Sequence, residues 1–312
     1  MYHIGIDLGG TNIAAGIVAP DGAILHKRSI PTHRERPASA ILTDMAALCR
    51  QLVTEAELDM EHDIQSVGVG APGMVDSRRG VILCASNLNF QDTPVKEELQ
   101  KLIPKPVRVE NDANCAALAE SVCGAAQGTR DSITVTLGTG VGGGILVDGR
   151  LVSGAWFGGG EVGHHVIVSG GEPCACGRRG CWEAYASATA LIRDTRRAAV
   201  PGSRLYEAVG GDLAGIDAKT AFDAAEDGDP AARDVISRYL GYLAEGLMNL
   251  VNIFQPEVIA IGGGVSAQGE KILLPLRERV NGMGYGGRTT TRLEIARLGN
   301  DAGIIGAALL RR

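Results

Sequence analysis

Aromatic residues make up only 4% of the 312 residues, and no apolar run reaches the ~18 residues that a membrane-spanning helix requires. An excess of basic charge is also missing. Thirty Lys+Arg stand against thirty-six Asp+Glu, giving a formal net charge of -6, the opposite of a nucleic-acid-binding footprint. The amino terminus, MYHIGIDLGG, lacks the basic flank and cleavage site of a secretion signal, so a cytoplasmic protein is expected. The seven cysteines are odd in number and argue against a disulfide framework in a long chain without an export signal. The pattern G-x-x-x-x-G-K-[ST] is absent, so backbone amides and a metal ion would have to neutralise any bound ATP. No low-complexity linker interrupts the chain.

Hydrophobic residues make up 45% and charged residues 21%, the composition of a globular protein. At roughly 150 residues per domain the length predicts about two domains. Glycine is plentiful, 44 of 312, about twice the usual ~7%. These glycines are aperiodic, which excludes collagen. They cluster beside apolar runs, where tight turns let backbone approach a ligand.

The opening reads as three strands, over 2–8, 13–19 and 23–30, with a glycine turn after the first and an Asp21-Gly22 hairpin after the second. Apolar periodicity predicts a helix over 38–57. Strands are expected at 64–70 and 106–110, with a helix over 113–122. DSITVTLGTGVGGGILVDGRLVSG then repeats the plan of YHIGIDLGGTNIAAGIVAPDGAIL, which points to duplicated halves. Asp229-Pro230 introduces a helix over 231–254. A strand at 257–261, a triple-glycine turn, and helices over 266–280 and 301–310 complete an α/β pattern with two lobes.

Three glycine turns could cradle phosphate through successive backbone N–H groups: DLGGTN, LGTGVGGG, and Gly262-Gly263-Gly264 between a strand and a helix. The alternative is that they only make hairpins. GVGAPG and GTGVGG both fit G-x-G-x-x-G, but neither opens a helix as a dinucleotide fingerprint requires. In RVENDANCAALAE, Asn111 and Asp112 stand where a strand meets a helix. They are either helix caps or, at the strand's carboxyl end, a general base for a substrate hydroxyl.

His164, Cys174, Cys176 and Cys181 have the spacing H-x9-C-x-C-x4-C and supply one imidazole and three thiolates, a closed tetrahedral zinc shell. Gly177 and Gly180 would let the loop wrap the ion. A redox pair or buried free thiols are the alternatives, and His165 competes with His164. Glu161 and Glu183 flank the loop and could be held in place by it. Cys49, Cys84, Cys115 and Cys123 lie in apolar segments and read as small buried hydrophobes.

DLGGTN, VENDANCAALAE, LGTGVGGGILVDGRLVSGAWFGGGEVGH and CACGRRGCWE together resemble the ROK family of sugar kinases and regulators, over essentially the whole chain, and most of all its bacterial glucokinases. The resemblance implies a two-lobed actin-like/hexokinase-like ATPase (ribonuclease H-like) fold with a duplicated βββαβ core, whose lobes close over sugar and nucleotide. It places an amino-terminal lobe at 1–118, with the final helix of 301–312 packing back on it, and a carboxy-terminal lobe at 119–300 containing the zinc loop 164–181. The implied activity is ATP-dependent phosphorylation of a hexose 6-hydroxyl, with glucose favoured over N-acetylglucosamine, N-acetylmannosamine, mannose or fructose. By the same resemblance Asp112 is the base, and Gly73, Asn111, Glu161, His164 and Glu183 join it in holding the sugar. Asp7 organises Mg2+ through water; Gly9, Gly10, Thr11 and Asn12, with Gly138, Thr139, Gly140, Gly142 and Gly143, hold phosphate; Gly263 and Gly264 lie on the adenosine side. Zinc would be structural. Sugar choice depends on loops such as 86–91.

A sugar-responsive repressor is the contrasting reading. Such relatives carry a helix-turn-helix domain ahead of the first phosphate turn. Here that turn starts at Asp7, and the net charge of -6 opposes DNA. Nucleic acid and membrane are not expected partners. A homodimer or homotetramer is a family expectation only.

Overall fold

The Asp21-Gly22 signal closes a hairpin: Gly22 has φ +93°, a left-handed value that suits glycine. In the computed structural model, which describes residues 1–85, 87–287 and 290–310, this hairpin joins β2 (Asn12–Val18) to β3 (Ile24–Pro31), and β1 (Tyr2–Leu8) precedes them. Next come α1 (Ala38–Glu55), β4 (Ile64–Ala71), β5 (Met74–Asp76), β6 (Val81–Ala85), β7 (Phe90–Thr93), α2 (Val95–Leu102), β8 (Val107–Asn111) and α3 (Asp112–Cys123). The second copy opens with β9 (Ser132–Leu137), β10 (Val141–Val147) and β11 (Arg150–Leu151). It continues through α4 (Glu183–Ala186), α5 (Ala188–Ala198), α6 (Arg204–Glu207), α7 (Thr220–Glu226) and α8 (Pro230–Phe254). The described chain ends with β12 (Val258–Gly262), α9 (Glu270–Val280), β13 (Arg292–Ile295) and α10 (Ala302–Ala308).

Two five-stranded sheets share one plan. Their orders are β3-β2-β1-β4-β8 and β11-β10-β9-β12-β13, so each strand of the first has a counterpart in the second. In the first sheet β1 pairs antiparallel with β2 and parallel with β4, and β4 runs parallel to β8. The parallel strands therefore end on the same side, where Asp7 and Asn111 lie.

Several elements go beyond the sequence expectation, α2, α5, α6, α7 and β13 among them, and two further segments differ in kind. Strands β5, β6 and β7 form a separate small sheet in that order, and each is too short for its alternation to stand out. Ser86, the first residue of the 86–91 loop, lies outside the described residues, as do Arg311 and Arg312 of the expected carboxy-terminal stretch. The single helix expected over 266–280 is divided: a 3-10 turn spans Gly264–Gln268, Gly269 takes φ +56°, and α9 starts at Glu270. That left-handed glycine stops helical hydrogen bonding.

The chain divides into two compact units. One comprises Met1–Thr134, Gly144–Gly160 and the chain from Arg297 onward; the other comprises Val135–Gly143 and Glu161–Ala296. In the first unit, α1 and α2 bury Ile41, Met45, Leu52 and Leu99 against Ile4, Ile6, Val67 and Val69. Helix α10 packs on β1, β4 and α3. A Cβ on Gly5 would stand 1.8 Å from the Ile304 carbonyl oxygen, and one on Gly68 1.8 Å from that of Ala307. These glycines are needed because helix backbone rests directly on strand backbone.

In the second unit, Asp229 caps α8 by accepting the Ala231 and Ala232 N–H groups, with Pro230 at the first helical position. Trp182 is fully buried against Gly246 of α8, and its Nε1–H donates to the Tyr242 carbonyl at 2.9 Å. Truncating such a side chain typically costs about 3–5 kcal/mol.

Candidate active-site groups and a candidate metal centre

In the first unit, the strand-to-helix corner is built by three successive polar residues. Glu110 is buried at the end of β8, and its Oε1 accepts the Asn111 N–H at 2.9 Å and the Asn114 Nδ2–H at 3.0 Å. Asn111 caps α3: its Oδ1 accepts the N–H groups of Ala113 and Asn114, and its Nδ2 donates to the Gly73 carbonyl at 3.1 Å. Gly73 itself has φ +85°, and a Cβ there would meet the Cys84 carbonyl oxygen at 2.1 Å. Thus the capping alternative holds for Asn111. Asp112 is the first helical residue, half-buried, with Oδ1 accepting the Ala113 N–H at 2.8 Å. Asp112 thus stands at the carboxyl end of β8, where it meets α3.

Asp7, at the end of β1, is half-buried in the same unit. Burial, and secondarily the charge of Asp112, pushes its pKa up to about 6. A Cβ on Gly303 would lie 2.7 Å from Asp7 Oδ2, so α10 leaves room for the carboxylate only because glycine stands there. Burial first, then the charges of Glu110, Asp112 and Asp7, push the Cys115 thiol far up. Asp7 and Asp112 thus feel one another's charge, and carboxylate oxygens are the donors that a hard cation such as Mg2+ takes.

The first glycine turn joins β1 to β2. Gly9 spends its N–H on the Asn12 carbonyl at 3.0 Å, and Thr32 Oγ1 donates to the Gly9 carbonyl at 2.7 Å. Among the described residues, the Gly10 and Thr11 N–H groups have no acceptor. They are the amides this turn can offer to phosphate.

The second turn, in the second unit, is anchored differently. Glu183, the first residue of α4, accepts the Val141 N–H through Oε2 at 2.9 Å, and a Cβ on Gly140 would stand 2.2 Å from that oxygen. Gly138 N–H closes on Gly140, and Thr189 Oγ1 donates to the Thr139 carbonyl at 2.7 Å. Gly142 and Gly143 continue into β10. Gly263 has φ +84°, and a Cβ there would meet Leu137 backbone at 2.5 Å, just before this turn. Gly264 opens the following 3-10 turn in free space. Neither G-x-G-x-x-G match opens a helix: one ends in β4 and Gly73, the other runs into β10.

The second unit also gathers His164, Cys174, Cys176 and Cys181, whose ligand atoms all lie within 4.8 Å of one another. His164 Nδ1 stands 3.6 Å from Cys174 Sγ, and Cys176 Sγ stands 3.6 Å from Cys181 Sγ. One nitrogen and three sulfurs at this spacing fit tetrahedral Zn2+. Gly177 and Gly180 have φ +88° and +84°, and a Cβ on Gly180 would stand 1.7 Å from the Val168 carbonyl oxygen. His165 is placed elsewhere: its ring packs 5.3 Å from that of Trp182, and burial lowers its pKa. Glu183 Oε1 lies 3.7 Å from Cys174 Sγ. Glu183 therefore links the cysteine cluster to the second glycine turn, a double role that sequence reasoning missed. Glu161 is exposed, at the start of the 3-10 turn Val162–His164.

Two sheets of one strand order, each opening on a strand, a glycine turn and a second strand, define a duplicated sugar-kinase-like architecture. The ROK family model matches residues 3–312, and the chain belongs to that family. It is 38% identical over 314 residues to a glucokinase of Halalkalibacterium halodurans, covering 99% of this chain and 94% of that one. A ROK family glucokinase from Streptomyces griseus, solved in complex with glucose and AMPPNP, is 38% identical with a TM-score of 0.82, covering 99% of this chain and 98% of that one. A ROK hexokinase from Thermus thermophilus is 37% identical with a TM-score of 0.83, covering 99% and 97%.

Proposed function

We propose that this ROK protein transfers the terminal phosphoryl group of ATP to the 6-hydroxyl of glucose. The observation that carries the reading is the near-full-length likeness to a glucokinase solved with glucose and AMPPNP. Asp112 is the general base. It takes the hydroxyl proton as the sugar oxygen bonds to the γ-phosphorus and the bond to the β-phosphate bridging oxygen breaks. Its place at the carboxyl end of a parallel strand, where open α/β sheets bind ligands, supports this. Gly73, Asn111, Glu161, His164 and Glu183 are assigned to the sugar hydroxyls.

The amides of Gly10 and Thr11, flanked by Gly9 and Asn12, take phosphate oxygens in the first turn. Gly138, Thr139, Gly140, Gly142 and Gly143 form the second phosphate turn, and Gly263 and Gly264 serve the adenosine side. Asp7 orients Mg2+, which when bound neutralises developing phosphate charge. His164, Cys174, Cys176 and Cys181 hold a structural Zn2+ that fixes the loop carrying Glu161 and Glu183.

A coupled ADP-release assay with a sugar panel tests this reading. Asp112→Asn should lower kcat by about 10²–10⁴-fold while glucose binding and melting temperature are kept. Near-wild-type kcat in soluble Asp112→Asn protein removes the base assignment. A second reading, a broader hexose kinase, is favoured by the likeness to the T. thermophilus hexokinase. Comparable kcat/KM for glucose, mannose and fructose would select it.

A further inference from the structure

The second unit contains a cavity of about 330 Å³ that the proposed reaction does not use. Its lining includes the arginines Arg193, Arg197 and Arg238 and the tyrosines Tyr185 and Tyr242. Three guanidiniums around one small cavity are a marked local departure in a chain of net charge -6.

Two of the arginines are held in place by the two carboxylates of the same lining, Glu172 and Asp194. Asp194 receives Arg193 through two nitrogens at 2.8 and 3.0 Å, and Arg197 at 3.3 Å; Glu172 receives Arg197 at 2.7 Å. Arg193 also donates to the Ala184 carbonyl at 2.9 Å. Arg238, on α8, pairs with no carboxylate among the described residues. The lining thus carries one positive charge more than its two acids offset. The tyrosine rings are 4.6 Å apart at 45°, giving the same cavity an aromatic wall.

We infer that this cavity is a binding site for a sugar phosphate, with the phosphate on the arginines and the sugar ring against Tyr185 and Tyr242. Guanidiniums suit a tetrahedral dianion because they present several N–H groups to its oxygens in fork geometry. The volume suits a ligand of one ring and one phosphate, and small-ligand sites are concave with a few converging polar groups.

The site is wired to the cysteine loop. Tyr185 accepts the Glu172 N–H through its hydroxyl at 2.7 Å, and Glu172 lies two positions before Cys174. Tyr185 also lies two positions after Glu183, which anchors the second glycine turn. A phosphate drawing Arg197 from Glu172 would be felt along both connections. The binding does not depend on the proposed reaction; only the choice of glucose 6-phosphate as probe does.

Calorimetric titration of the full-length protein with glucose 6-phosphate, at saturating glucose and without ATP, tests the inference. One saturable site per chain is expected, weakened about tenfold in Arg238→Ala, the loss typical of one charge-assisted contact. An unchanged melting temperature and kcat in that variant would show that its fold is intact. Inorganic phosphate should bind more weakly than the ester, since it cannot use the aromatic wall. Equal affinity for both would overturn the sugar-phosphate assignment. Binding that vanishes at saturating glucose, or that Arg238→Ala leaves unchanged, would place the ligand at the catalytic groups and overturn the site.

Discussion

The two glycine turns occupy equivalent places in the duplicated plan, yet they are held by different means. The first is closed by its own backbone and by Thr32, leaving Gly10 and Thr11 without acceptors. The second is gripped from outside by Glu183, which also faces Cys174. The flanking strands differ too: β3 has eight residues and β11 only two. The second turn is tied to the long connection between β11 and α4 that carries the cysteine loop. The first turn is therefore a local structure, and the second is conditional on a distant one.

The most severe test of that contrast is metal removal. If zinc is held as proposed, Cys181→Ser, at the buried member of the cluster, should lower the zinc content to near zero and kcat/KM for glucose by about 10–100-fold. Amide exchange at Val141 should accelerate while that at Gly9 stays slow; equal acceleration at both would dissolve the distinction. A finer test compares alanine at one glycine of each turn. Gly140→Ala drives a Cβ to 2.2 Å from Glu183 Oε2, whereas at Gly10 the nearest atom is 3.4 Å away. The former should lower kcat/KM about tenfold and the latter by less than about threefold, as expected when one charge-assisted bond is lost or kept.

The smallest effect concerns pH, and it belongs to the first unit alone. Asp7 has a pKa raised from 3.8 to about 6, so the folded, metal-free protein favours its protonated form. The stability this contributes is complete below pH ~4 and is lost as pH rises through about 6. Asp7→Asn should flatten that part of the melting profile, a difference on the order of 1–2 kcal/mol. An identical profile in the variant would show that Asp7 titrates normally.

Much of this was legible in the chain. Apolar strands with Gly-Thr and Asp-Gly turns announce β1 to β3 and their repeat, because hairpin chemistry is local. The same holds for Asp229-Pro230 at the start of α8. The cysteine cluster was readable from spacing, and the choice of His164 over His165 agrees with its facing Cys174. Some of what the sequence did not announce is nonlocal or too short to show a period; α5, with 11 residues, is neither. Strand β5 has three residues and β7 four, below the length at which alternation is visible. The break at Gly269 had a signal, the glycine itself, but its left-handed φ is set by packing. Glu183 read as a flanking acid, since nothing near it in sequence reveals that Val141, 42 positions away, donates to it.

The carbonyls of Ile304 and Ala307 resting on Gly5 and Gly68 bear on the order of synthesis. Translation delivers β1 and β4 early, but the helix that covers their bare glycine surface is made only after the entire second unit. The first unit must wait on the ribosome with one face of its sheet open. Chaperone protection of the nascent chain would then be needed most while residues 161–296 are being made.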